Sequence, residues 1–436
     1  MIRLLSALVL ALAFTLPARA IDIQEVTSPG GFKAWLVEEP SIPFSALEIR
    51  FKGGAILDRP GKRGSVYMMT GLIEEGAGDL NAAEYAAAQE ALAASFGYNT
   101  YDDSLSISAQ FLSENRDEAV ALLKLALTQA NFDQEAVDRV KAQILSSLAS
   151  DLKDPSKIAS RTFDELAFGA HPYGSPKEGS IESVTDLTRD DIVTAYNDVL
   201  VQERVFVGAV GDITADELGA LLDDLLGDLP KSGAPLPGRA AYELAGGTTV
   251  VDFPTPQSVA VFGHEGIARD DEDFFPAYVM NQILGAGGFG SRLMEEVREK
   301  RGLTYGISTY LLPMDNAALF LGQVASSNDR VAQAMAVIQD EWSKLAKQGV
   351  TEEELEDAKK FLTGAYPLRF DGNAPIARIL VGMQMDDLPI SYIDTRNDKV
   401  NAVSIEDIKR VAESLLQPDK LHFVVVGQPE DVEASN

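Results

Sequence analysis

The chain repeats itself at a spacing of 213 to 216 residues, and this constrains its fold more than any other feature. Thr188, with acids at Asp190 and Asp191, opens a helix predicted to run to Leu200. Ser404, with Glu406 and Asp407, opens another predicted to run to Leu416. A hydroxyl ahead of two acids marks a helix start: the oxygen accepts from free backbone N–H groups, and the acids meet the positive end of the helix dipole. Each helix leads into an apolar strand closed by a glycine, Gly211 in one case and Gly427, 216 positions on, in the other. A second match lies earlier. Residues 105–111 alternate as a strand does and are followed by Ser113, Asn115 and an Ala- and Leu-rich helix. Residues 318–324 are followed by Ser326, Asn328 and a helix, with the two asparagines 213 apart. Asp133-Gln134-Glu135 and Thr351-Glu352-Glu353 then open the next helix in each half.

Solenoid repeats run to about 20–50 residues, so a period this long means a duplicated domain. Each copy mixes alternating strands with amphipathic helices, which predicts an α+β class with a mainly antiparallel sheet and helices packed on one face. Pro230, Gly233, Pro235, Pro237, Gly238, Gly246 and Gly247 crowd one stretch with few large apolar residues, the composition of a linker. The expected division is residues 21–232, a linker at 233–246, and residues 247–436.

The first 20 residues carry an export pattern. Arg3 precedes an apolar run from Leu4 to Leu16, and Ala18-Arg19-Ala20 supplies small residues around a cleavage point. The run is short for a bilayer span of roughly 20 residues. The expectation is therefore cleavage after Ala20 and an exported chain, in a bacterial periplasm, without stable membrane insertion. The 436 residues include no cysteine, which rules out disulfides, thiolate metal sites and a cysteine nucleophile. Asp and Glu number 67 against 37 Lys and Arg, a formal charge of −30. Such a surface repels phosphate backbones, so nucleic acid is a poor partner and a basic or neutral polypeptide a better one, while solubility alone also accounts for the charge.

Three segments carry a family resemblance. Residues 291–305, from Ser291 through Glu295-Glu296-Val297-Arg298 to Gly302-Leu303-Thr304-Tyr305, closely resemble the second-domain signature of the insulinase/pitrilysin zinc metallopeptidases. His171-Pro172-Tyr173-Gly174 is similar to a stretch of their first domain, and Phe96-Gly97-Tyr98-Asn99 resembles the strand that follows their early helix. With the duplication itself, the resemblance covers nearly the whole chain after residue 20. It implies two homologous metallopeptidase-like domains arranged as a clamshell.

Active members bind zinc through H-x-x-E-H on a first-domain helix, with two imidazoles on successive turns and a glutamate that activates water. Aligned on the preceding Gly64, this chain has Tyr67 and Gly71 for the two histidines and Thr70 for the glutamate. Ser146 and Ser147 stand where the family has its distal glutamate. The three histidines, His171, His264 and His422, are far apart in sequence. Glu74 and Glu75 lie a turn beyond the motif and read as a solvated helix end, and a lone carboxylate makes a poor zinc site. The glycine run from Gly285 to Gly290 follows a helix, not a strand, which argues against a phosphate loop.

The second domain keeps what the first has lost. Arg298 and Tyr305 have the spacing of the family's Arg/Tyr pair, which the resemblance implies reaches a zinc site to hydrogen-bond a substrate carbonyl and its oxyanion. On spacing alone, Arg298 also fits an exposed residue on a charged helix. The expectation is a non-catalytic subunit with no metal or cofactor of its own. It would give Arg298 and Tyr305 in trans to a zinc-bearing paralogous peptidase subunit, and the pair would enclose unfolded peptide. A catalytically inert periplasmic peptide-binding or scaffold protein of the same fold is the rival reading.

Overall fold

The computed structural model describes residues 21–435, so the export segment lies outside the described residues. The strands are β1 (Gln24–Thr27), β2 (Lys33–Glu38), β3 (Phe44–Lys52), β4 (Gly76–Ala77), β5 (Leu80–Asn81), β6 (Ser95–Thr100), β7 (Ser104–Leu112), β8 (Val205–Gly211), β9 (Gly247–Asp252), β10 (Gln257–Glu265), β11 (Ile307–Pro313), β12 (Ala318–Ser327) and β13 (His422–Gly427). The first sheet runs β1-β2-β8-β3-β7-β6 and the second β9-β13-β10-β12-β11, while β4 and β5 form a two-stranded ladder of their own. From β2 onward the two orders match strand for strand. Each has one parallel pair, β2 with β8 and β9 with β13, and otherwise antiparallel ladders. The duplicated sequence thus folds as two α+β units of one topology, with β1 as an addition to the first.

The matched helix starts are built as their sequences dictate. Thr188 accepts from Asp191 N while Asp191 reaches back to Thr188 N, opening the helix Arg189–Val199. Ser404 and Asp407 form the same reciprocal box at Ile405–Leu415. Thr351 and Glu354 form it again at Glu352–Ala365. Each box satisfies backbone donors that the helix start would otherwise leave free.

One arrangement goes beyond the sequence expectation of helices on one face. The helix Pro155–Phe168 of the first half packs against β10 and β13 of the second, and the helix Asn373–Met385 of the second packs against β3 and β8 of the first. Strands β8 and β13 are therefore covered on both sides. In β13, Phe423 and Val425 point into the second unit's own core beside Phe262 and Trp342, whereas Val424 and Val426 join the first unit's core. In β8, Val207 and Ala209 face the first unit's helices, and Val210 meets Ala377 and Leu380 of the visiting helix. This double burial explains why both strands read as unbroken apolar runs.

Residues 233–246 contain no helix or strand but are held by hydrogen bonds to both halves. Ala240 N donates to Asn316 O at 2.9 Å, Glu243 N to Ala167 O at 2.9 Å, and the Arg204 guanidinium to Ala234 O at 2.8 Å.

Candidate functional site

The helix Ser65–Thr70 is short because glycines bound it, Gly64 ahead and Gly71 behind. Asp58 anchors its start, accepting from Gly64 N at 2.8 Å, Val66 N at 2.9 Å and the Ser65 hydroxyl at 2.6 Å. Burial pushes the Asp58 carboxyl up, and Arg63 works against that shift. Val66, Met68 and Met69 are buried in the core. That packing leaves Tyr67, Thr70 and Gly71 to line a pocket of 540 Å³, closed by Thr100 of β6 and by Gln143 and Ser147 of the helix Gln134–Asp151. The fold thus assembles the positions that the sequence assigned to the degenerate metal motif, with Ser147 rather than Ser146 on the lining.

These groups do not fit a zinc ion, which takes imidazole, thiolate or carboxylate ligands. Gly71 offers no side chain. The Thr70 hydroxyl donates to Val66 O at 2.8 Å and accepts from the Thr100 hydroxyl at 2.6 Å, so its bonding is satisfied internally. Of the two acids beyond the motif, Glu75 reaches the pocket and Glu74 does not. Glu75 is held by both terminal nitrogens of Arg139, at 2.7 and 2.9 Å. The histidines lie elsewhere: His171 accepts from Tyr173 N, His264 from Trp342 Nε1 at 3.1 Å, and His422 lies 3.0 Å from the Thr249 hydroxyl. Among the described residues, no group of three or more His, Asp or Glu side chains is placed to hold a metal.

The second half presents a different surface. Residues Met294–Glu299 form a π-helix, with Lys300 N bonded to Glu295 O five residues back at 2.9 Å. Such wide turns often mark functional positions, and nothing in the residue types announces this one. Gly302, at φ +62°, takes the left-handed turn that ends the segment. The chain is then pinned to β12: the Ser326 hydroxyl donates to Leu303 O at 2.5 Å, and the Thr304 hydroxyl donates to Ala325 O at 2.6 Å. Tyr305 follows this clamp and stands out from the surface at 87% exposure, ahead of β11. Its hydroxyl has no hydrogen-bond partner among the described residues.

Arg298 and Tyr305 line one pocket with Thr304, Gln257 and Arg330, and every lining residue belongs to the second half. One terminal nitrogen of Arg298 bonds Glu299 at 2.6 Å, and its guanidinium lies 4.6 Å from the centre of the Phe289 ring. The neighbouring charges cancel among themselves, Lys300 and Arg301 each pairing with Glu296 at 2.6 Å. The Phe289 contact was missed by sequence reasoning. An aromatic flanked by Gly288 and Gly290, just ahead of the signature, was the available signal: Phe289 is 71% exposed.

Residues 33–179 match the family model described as Insulinase (Peptidase family M16), and residues 186–362 match the Peptidase M16 inactive domain. The chain is 27% identical to a protein of Helicobacter pylori named non-peptidase homolog YmxG, over 97% of this chain and 98% of that one. It is 25% identical to an uncharacterized zinc protease of Streptomyces coelicolor, covering 95% and 91% of the two chains. Among solved structures, a peptidase M16 inactive domain from Pseudomonas fluorescens superposes with a TM-score of 0.88 at 28% identity, over 95% of this chain and 99% of that one. The duplicated α+β architecture and these matches together make the chain a member of the insulinase family, peptidase family M16.

Proposed function

We propose that this chain is the non-catalytic subunit of a heterodimeric zinc peptidase, exported to a bacterial periplasm. It would form half of a chamber for unfolded peptides and present Arg298 and Tyr305 to the zinc centre of a paralogous subunit. The observation that carries the reading is the separation of two surfaces. The remnant of the metal motif is lined only by first-half residues that do not fit zinc, and the Arg298/Tyr305 pocket only by second-half residues. A donor pair that shares no pocket with its own chain's metal position is arranged to serve another chain. The guanidinium and the phenol are both hydrogen-bond donors, suited to a peptide carbonyl and to the oxyanion that replaces it. Strand β6 ends the first sheet with a ladder partner on one side only, which leaves main-chain groups for an extended peptide to pair with. Within this reading the chain divides into 21–232 and 247–436, joined by 233–246. Each sheet is drawn wholly from one side of that joint.

Purified alone, the chain is expected to hold no stoichiometric zinc by elemental analysis and to leave unfolded peptides intact. Co-expressed with a paralogue that carries H-x-x-E-H, it is expected to form a complex with chelator-sensitive peptidase activity. One tightly held zinc per isolated chain, with proteolysis lost on chelation, would overturn the proposal. A complex no more active than the paralogue alone favours the inert peptide-binding reading.

A further inference from the structure

A cleft of 580 Å³ lies between the two halves, apart from the Arg298/Tyr305 pocket. Ile158 and Phe168 of the exchanged helix Pro155–Phe168 form one apolar wall, and Leu312, Met314 and Leu319 of the second half form the other. Asp164, on the same helix, lines this cleft. Among the described residues its carboxylate has no hydrogen bond and no ion pair. A carboxylate against apolar walls loses hydration and gains nothing in return, which is costly unless a cation joins it.

The surrounding charges do not supply that cation. Asp102, in the turn between β6 and β7, faces Asp164 with the same sign and is itself held by Arg63 at 2.8 Å. Tyr310 of β11 faces it as a neutral phenol, pushed up by burial and by Asp164. Lys177 pairs with Glu178 at 3.5 Å. Lys157 and Arg161 lie on the helix of Asp164 and line the cleft without an ion pair to it, and the remaining charged groups of the lining, Asp151 and Glu182, are acids.

We propose that this cleft is a binding site for a single cationic group on an apolar stem, an alkylammonium or the end of a lysine side chain, with Asp164 as its counter-ion. The walls match the stem and the free carboxylate matches the head. Leu148, Lys177 and Glu178 line both this cleft and the pocket of Tyr67, Thr70 and Gly71, so the two adjoin. An extended polypeptide lying over the remnant metal motif can therefore place a side chain against Asp164. The site needs no partner subunit and no hydrolysis, and it stands or falls apart from the role of Arg298 and Tyr305.

Burial, with Asp102 adding to it, pushes the Asp164 carboxyl up to about 7. A cation prefers the ionised form, so its affinity rises with pH through that value. The same shift sets a stability signature. The folded acid holds its proton at a pH where the unfolded one has lost it, so from about pH 4 up to about pH 7 stability falls as pH rises. Asp164→Asn removes that loss. The variant is therefore more stable than the parent above pH 7 and equal to it below pH 4, which also shows that it folds.

The test is a ligand-observed NMR titration of the full chain with n-hexylamine, n-hexanol, and an end-blocked Ala-Ala-Lys-Ala-Ala peptide with its norleucine twin. At pH 8 the amine is expected to bind about tenfold or more tighter than the alcohol, the advantage of a charge-assisted hydrogen bond. The ratio is expected to shrink at pH 5.5. In Asp164→Asn it is expected to vanish at pH 8 with hexanol binding unchanged. If the lysine peptide outbinds its twin and displaces the amine, the natural source is polypeptide. If only hexylamine binds, it is a free amine, and the site stands either way. Equal binding of amine and alcohol to the parent, or an undiminished preference in Asp164→Asn, overturns the proposal.

Discussion

Tyr305→Phe, in a heterodimer reconstituted with its zinc-bearing partner, is expected to lower peptide turnover by roughly 100-fold or more. Tyr305 stands 87% exposed, and its hydroxyl bonds to nothing among the described residues. Its backbone, in contrast, follows a tight clamp from Thr304 to β12. A side chain held at its root and free at its tip is suited to donate to a group that arrives from outside. Removing one oxyanion donor from an enclosed site costs about 2.7–4 kcal/mol of transition-state stabilisation. Losing the hydroxyl leaves the phenyl ring and the clamp in place, so folding and assembly should not change. Arg298→Ala should lower turnover similarly, and by removing a charge it should raise KM as well. Since Glu299 and Phe289 already orient the guanidinium, Arg298→Lys should not restore it: a point ammonium cannot hold the ion pair, the ring and a carbonyl together. Steady-state kinetics on the parent and variant complexes decide the matter. Full activity in the Arg298/Tyr305 double variant would leave the pair without a role.

Much of this architecture was legible because it is written twice. Thr188 and Ser404 announce the same capped helix, and the apolar runs into Gly211 and Gly427 announce the same strand, so each copy corroborates the other. The degenerate motif was equally legible. Its positions are set by spacing along helices, and the fold gathers Tyr67, Thr70, Gly71 and Ser147 into one pocket as that spacing implies. Two kinds of feature stayed hidden. The wide turn at Met294–Glu299 depends on which carbonyl each N–H meets, and helical periodicity alone does not fix that. The free carboxylate of Asp164 is the second. On its helix it looks like any surface acid, three residues from Arg161 and one from Glu165. Its isolation comes from residues some 150 positions away, Leu312, Met314 and Leu319, which roof the cleft. Local sequence carries no trace of a neighbour brought by tertiary exchange.

That exchange supplies the second large effect: Gly208→Val is expected to unlatch the visiting helix from the first sheet. Gly208 sits in β8 beneath Asn373–Met385, and a Cβ there would come 2.6 Å from Ala377 O, 3.0 Å from a Val381 methyl and 3.1 Å from Leu380 Cβ. Two of these neighbours can shift only by moving helix backbone. Overfilling a packed site costs about 1–3 kcal/mol, and more where backbone must move. Beyond the clash, the helix is bonded to this strand through Gln384 Nε2, which donates to Val207 O at 2.9 Å, and lifting the helix breaks that bond too. The molecule contains its own control. The corresponding position in β13 is Val424, fully buried where the first half's helix crosses the second sheet. There the valine fills space, and Val424→Ala should lose about 1–2 kcal/mol from the methyl groups removed. The same side chain is thus accommodated on one side of the pseudo-symmetric pair and excluded on the other, because helix backbone closes directly over Gly208. Urea titration should show Gly208→Val as the more destabilised of the two. Hydrogen exchange should localise the damage, with amides of Asn373–Met385 losing protection while those of β10 and β13 keep theirs. Unchanged stability in Gly208→Val would mean that the visiting helix has room to spare and does not latch the halves together.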